Sequence, residues 1–80
     1  MKLKLFYRTQ RELAVALNEL IDAYWNETVD EQELIKSVTG IHENNRSKLI
    51  KDHRFTTVVQ QQCGKRRLEI VERILAMDSE

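Results

Sequence analysis

Apolar residues recur at three- and four-residue steps along most of the chain, the spacing that keeps them on one face of an α-helix. Leu13, Leu17, Leu20, Ile21 and Tyr24 form the clearest stripe, and Ala14, Ala16 and Ala23 add helix propensity at little side-chain entropy cost. Ahead of them, Thr9-Gln10-Arg11-Glu12 has the spacing of a capping box, which predicts a first helix from about Thr9 to Asn26. Residues 26–30 read as a turn. Thr28 and Asp30 each stand three residues before a glutamate (Glu31, Glu33), and either one starts a second helix with the stripe Leu34, Ile35, Val38 and Ile41. Leu49 and Ile50 resume that stripe, so the helix is predicted from about Asp30 to Lys51. A break between Gly40 and Asn45 is left open, because glycine costs about 1 kcal/mol inside a helix and His42-Glu43-Asn44-Asn45-Arg46 is polar.

Lys51-Asp52-His53-Arg54 reads as the next connection, after which Thr56 or Thr57 caps a third helix. Phe55, Val59, Cys63, Arg66, Ile70 and Ile74 fall near one line of that helix, Val58, Val71 and Leu75 near a second, with Leu68 to one side. Gly64 either lies within one long helix or separates a short one from a last helix over residues 65–77. The β-branched run Thr56-Thr57-Val58-Val59 leaves a short strand open. Residues 1–7 form an extended lead-in, from which Tyr7 staples onto the first helix. The expected fold is all-α: one domain, residues 1–80, built as a small bundle of three helices, or four if Gly64 interrupts the last.

Composition supports this reading. The 80 residues include no proline and two glycines, which argues against a turn-rich β fold. Hydrophobic residues at 41% and charged residues at 32% fit a foldable domain rather than a disordered tail. No run approaches the roughly 20 apolar residues of a membrane span. The opening Met1-Lys2-Leu3-Lys4-Leu5-Phe6-Tyr7 lacks the sustained apolar stretch of a signal peptide. One cysteine forms no internal disulfide and suits a reducing compartment, so a cytoplasmic setting without a membrane is expected.

Charge changes the picture more. The net charge of zero is assembled from unlike blocks. Residues 1–11 carry Lys2, Lys4, Arg8 and Arg11 and no acid, giving +4; residues 12–35 carry seven acids and no base, giving −7. Residues 36–67 hold eight bases against Glu43 and Asp52, giving +6, and residues 68–80 hold four acids against Arg73, giving −3. Two arrangements follow. In one, antiparallel helices set the acidic first hairpin beside the basic later segment and the charges pair within the fold. In the other, the blocks form opposed faces, a basic one for nucleic acid or an acidic one for a basic partner.

Arg46, Lys48, Lys51, Arg54, Lys65, Arg66 and Arg67, with Gln60-Gln61-Gln62, make the nucleic-acid footprint this sequence offers, cations toward phosphates and glutamines toward base edges. A pI of 6.7 weighs against it, and a solvated helix face is the plainer reading. Tyr24 continues the first stripe, whereas Trp25 lies about 100 degrees around the helix and either projects as an interaction anchor or covers the bundle end against Val29. Cys63 sits on an apolar line and reads as a core thiol. Neither His42 nor His53 is placed to act as its base, and His42-Glu43-Asn44-Asn45-Arg46 has arginine where a zinc-protease motif needs histidine. No catalytic, cofactor or metal site is expected, and the chain does not read as an enzyme.

Two strings, Phe6-Tyr7-Arg8-Thr9-Gln10-Arg11-Glu12-Leu13-Ala14 and Gln61-Gln62-Cys63-Gly64-Lys65-Arg66-Arg67-Leu68-Glu69, resemble a group of short uncharacterised cytosolic proteins of Gram-positive bacteria. The resemblance implies a bacterial, cytosolic setting and carries over no functional residue. The expected function is that of a small non-enzymatic interaction or regulatory domain, docking a helical surface with Tyr24 and Trp25 onto a protein partner or a second copy of itself as a homodimer. The alternative is a nucleic-acid-binding module using the basic segment around Lys65, Arg66 and Arg67.

Overall fold

The computed structural model describes residues 4–78. The first three residues of the lead-in, Lys2 among them, and the last two of the chain, Glu80 among them, lie outside the described residues. The element order is α1 Gln10–Trp25, α2 Glu31–Asn44, α3 Arg46–Leu49, β1 Ile50–Lys51, β2 Arg54–Phe55 and α4 Thr57–Asp78. The fold is therefore a helical bundle carrying one two-residue antiparallel ladder, in which Ile50 faces Phe55 and Lys51 faces Arg54. Among the described residues no helix is long and apolar enough to cross a membrane.

α1 packs against α2, α3 and α4. Its stripe is the centre of the core: Leu13, Leu17, Leu20 and Ile21 are fully buried, each burial stabilising by roughly 1.5–3 kcal/mol. Thr9 caps the helix as the spacing predicts. Its Oγ1 accepts from the Glu12 N–H at 3.1 Å and its hydroxyl donates to Glu12 Oε1 at 3.3 Å. At the other end the Thr28 N–H donates to the Ala23 carbonyl at 2.9 Å and the Glu27 N–H to the Tyr24 carbonyl at 3.1 Å. That pair of bonds is a Schellman closure, with Glu27 at φ 63° in the position where glycine is usual. Of the two predicted starts for α2, Asp30 is the cap, accepting from the Glu33 N–H at 2.8 Å. Thr28 instead donates its hydroxyl to the Ala23 carbonyl and so belongs to the end of α1.

The second helix does not run to Lys51. It ends at Asn44, and Asn45 at φ −142° starts the one-turn α3. Gly40 is not the break; it stays helical. A Cβ there would stand 2.9 Å from Leu5 Cδ2, so the missing side chain lets the lead-in lie against α2. Asn45 ends the helix because its side chain turns inward. Buried to 3% exposure, it accepts from the Tyr7 N–H at 2.9 Å and donates to the carbonyls of Leu5 at 2.6 Å and Ile41 at 2.8 Å. The lead-in is thus fastened to the end of α2, and Tyr7 is drawn into the core.

The 51–54 connection is a hairpin turn. Asp52 and His53 hold φ of 53° and 68°, the successive left-handed pair a type I′ connection needs. No strand forms at Thr56–Val59: α4 starts at Thr57, and among the described residues pairing is confined to β1 and β2. Thr56 precedes α4 but uses its hydroxyl on Lys48, donating to that carbonyl at 2.7 Å while its N–H reaches the Leu49 carbonyl at 3.0 Å. These bonds satisfy the end of α3, which has few intrahelical partners of its own.

Gly64 interrupts α4 with φ 80° and ψ 168°, a conformation open essentially to glycine alone. The interruption resets the helical phase, which corrects the predicted lines. Arg66 points into solvent, whereas Leu68, read as lying to one side, joins Val59, Cys63, Val71 and Ile74 in the core. Phe55 is half-buried rather than a member of a continuous helical stripe.

Candidate functional site

A broken helix leaves carbonyls without intrahelical donors, and here α1 and α4 side chains supply them. Asn18 Nδ2 donates to the Gln62 carbonyl at 2.9 Å, and Arg67 Nη1 to the Cys63 carbonyl at 3.2 Å. Arg67 then forks onto Asp22: Nε and Nη2 reach Oδ1 at 3.1 and 2.9 Å, and Nη2 reaches Oδ2 at 3.1 Å. The guanidinium carbon also lies 5.8 Å from the centre of the Trp25 ring. Arg67 therefore splints the break, joins α4 to α1 and holds the indole. It is withdrawn from the basic footprint in which the sequence placed it, because a bidentate carboxylate fixes its planar fork. Trp25 lies neither free nor buried: it is 46% exposed, with a cation over its ring.

Beside Trp25, Tyr24 lines an apolar groove of about 270 Å³ where α1 ends, α2 begins and α4 finishes. Leu34 and Ile35 form one wall, Ile70, Ile74 and Met77 the other. Glu31 stands on the α2 side and Arg73 on the α4 side, so the walls carry opposite charges at their edges. Met77 is 60% exposed, an unbranched and polarizable side chain able to follow the shape of an occupant. The sequence placed Ile35, Ile70 and Ile74 on stripes but did not bring them together. Which stripe residues share a wall depends on the phase of the second half of α4, which Gly64 sets.

The other six basic candidates divide between two places. Lys65 and Arg66 are exposed just after the Gly64 break. Arg46 and Lys48 lie on α3, Lys51 on β1 and Arg54 on β2. None of the six forms an ion pair among the described residues. Lys51 and Arg54, together with Gln10, Asp52 and Thr57, line a shallow depression of about 410 Å³. Lys48 Nζ sits 4.5 Å from the centre of the Phe6 ring, and Phe6 is 57% exposed. Phe6 belonged to the lead-in in the sequence, where nothing signalled that Asn45 would bring it to α3.

Cys63 is buried, and its thiol donates to the Ala14 carbonyl at 3.6 Å rather than to a histidine. Burial pushes the thiol up from 9.0 to about 11, against the opposing pull of Arg67. A thiol held protonated is a poor nucleophile. Tyr7 is likewise raised, first by burial and then by Glu19. Among the described residues no three of histidine, cysteine, aspartate and glutamate gather closely enough to hold a metal ion.

No curated protein and no solved structure matches this chain. A family model does, over residues 4–76, the span that contains the capped α1, the Asn45 fastening and all but the last two residues of α4. The chain accordingly belongs to that family, which is described as a conserved hypothetical protein.

Proposed function

We propose that this chain is a small non-enzymatic interaction or regulatory domain that docks an amphipathic helix of a protein partner into the groove between α2 and the second half of α4. The observation that carries the reading is the groove itself: an open apolar trough lined by Tyr24, Leu34, Ile35, Ile70, Ile74 and Met77. Glu31 and Arg73 at its edges favour an occupant with a base toward α2 and an acid toward α4, which fixes orientation and speeds encounter more than it adds affinity. Trp25, steadied by Arg67 at the end of α1, supplies an aromatic anchor beside it. The resemblance of the two quoted strings to cytosolic proteins of Gram-positive bacteria supports a bacterial cytosol as the setting.

The test is capture from nuclease-treated bacterial lysate by the tagged chain and by its Met77→Asp, Trp25→Ala and Lys65→Gln variants, each checked for unchanged helicity. Loss of the same protein from the first two variants but not from the third supports the groove. Equal recovery by all of them refutes it. A concentration-dependent dimer in light scattering that Met77→Asp abolishes would make the occupant a second copy of the chain, in place of a foreign partner.

A further inference from the structure

We infer that a second surface, formed by the lead-in, α3 and the β1–β2 hairpin, binds single-stranded nucleic acid, with Phe6 as a stacking platform and Lys48, Lys51 and Arg54 as phosphate contacts. Phe6 and the basic stretch 46–54, far apart in sequence, meet there because Asn45, one residue before α3, holds the backbone on both sides of Phe6. Phe6 is 57% exposed and has the Lys48 ammonium 4.5 Å from its ring centre. Lys51 and Arg54 sit opposite each other on the ladder and open into the depression that also holds Gln10 and Thr57. Neither these two cations nor Lys48 is committed to a carboxylate among the described residues, and Asp52 is the one acid lining the depression.

An exposed aromatic ring beside a track of unpaired cations is the arrangement that holds single strands without sequence preference, because every base has a face to stack and every nucleotide a phosphate. The apolar content favours a base over a lipid surface. Leu5, the neighbour of Phe6, keeps Cδ2 against Gly40 of α2 and is 49% exposed, so the face presents two apolar side chains among cations with no long amphipathic helix behind them for burial in a membrane surface. The Lys65–Arg67 segment is the weaker site: Arg67 is held by Asp22 and Trp25. The inference is independent of the docking groove, which lies at the other end of α1.

The experiment is fluorescence anisotropy of a labelled mixed-sequence single-stranded oligonucleotide, titrated with the full chain across a salt series. Three phosphate contacts give a slope of about −2 in log affinity against log salt. Lys51→Gln/Arg54→Gln should flatten it by about 1.4. Phe6→Ala should weaken binding roughly 5- to 150-fold with the slope unchanged, and Phe6→Trp should retain it. Lys65→Gln/Arg66→Gln should change neither. Should Phe6→Ala disturb the fold by circular dichroism, Phe6→Trp and the exposed lysine–arginine pair still carry the test. The inference is overturned by no binding at low salt, by dependence on Lys65 and Arg66 instead, or by Phe6→Trp losing affinity. Preferential binding to phosphatidylserine-containing vesicles over the oligonucleotide would also overturn it.

Discussion

Replacing Asn45 by alanine removes one side chain and three hydrogen bonds at once: to the Tyr7 N–H and to the Leu5 and Ile41 carbonyls, at 2.9, 2.6 and 2.8 Å. Each such bond contributes roughly 0.5–1.5 kcal/mol net, and a buried group left without its partner costs about 1–3 kcal/mol. Water reaches little of this site, since Asn45 is 3% exposed and Tyr7 7%. The expected loss is therefore about 3 kcal/mol. A chain of 80 residues has a total stability of roughly 4–12 kcal/mol, so the variant stays folded but gives up a large share. In a thermal melt this corresponds to a drop of roughly 12–24 °C, and in urea to an earlier midpoint with a similar slope. Asn44→Ala is the control. Its side chain makes one exposed bond, Nδ2 to the Gly40 carbonyl at 2.7 Å, and its loss should stay below about 1 kcal/mol. If the two variants melted together, the inward-turned amide would not be what fastens the lead-in. Amide exchange gives a second reading, because the Tyr7 N–H should lose its protection in Asn45→Ala and keep it in Asn44→Ala.

Three further outcomes are expected. Gly64→Ala should cost about 1–3 kcal/mol in urea unfolding; an added Cβ meets nothing within 4 Å, so the cost is one of backbone conformation, and an unchanged midpoint would contradict the φ 80° break. Glu27→Gly should stabilise by about 0.5–1 kcal/mol, because it relieves a non-glycine residue at φ 63° in the Schellman closure; a lower melting temperature would count against that closure. Cys63 sets an alkaline limit. Its folded thiol holds the proton more tightly than the unfolded one, so its contribution is complete below pH 9.0 and is lost as pH rises toward about 11, amounting to about 3 kcal/mol. The difference in stability between the wild type and Cys63→Ala should shrink over that interval, and a difference constant with pH would mean the thiol titrates normally.

The parts of the fold legible in the sequence are those fixed by neighbours within a turn or two. Thr9 meets Glu12 three residues on, Asp30 meets Glu33, and the α1 stripe needs only its own period. Asn45 was illegible for the converse reason. Within a polar pentapeptide it looks like any solvated residue, and its partners Leu5 and Tyr7 lie some forty positions earlier. The phase of α4 failed for a third reason. A period can be extrapolated only through unbroken helix, and Gly64 rotated Leu68 inward and Arg66 outward. At the candidate sites the residue types were readable and their company was not. Arg67 belongs with Asp22 and Trp25, Lys48 with Phe6, and Tyr24 with Ile35 and Ile70; each grouping crosses between elements.

The Gly64 joint also bears on how this chain changes over evolutionary time. In an unbroken helix one residue gained or lost turns everything beyond it by about 100 degrees and strips the core of its side chains. Here the two halves of α4 take their rotations from different anchors. Asn18 and the Ala14 carbonyl fix the half before the joint, and Asp22 fixes the half after it through Arg67. A change of length at residues 64–65 leaves both sets of bonds to α1 in place and alters only the short link and the Arg67–Cys63 bond that spans it. Length variation among relatives should therefore collect at this link and at the Asp52–His53 turn, while the helical stretches on either side keep their length.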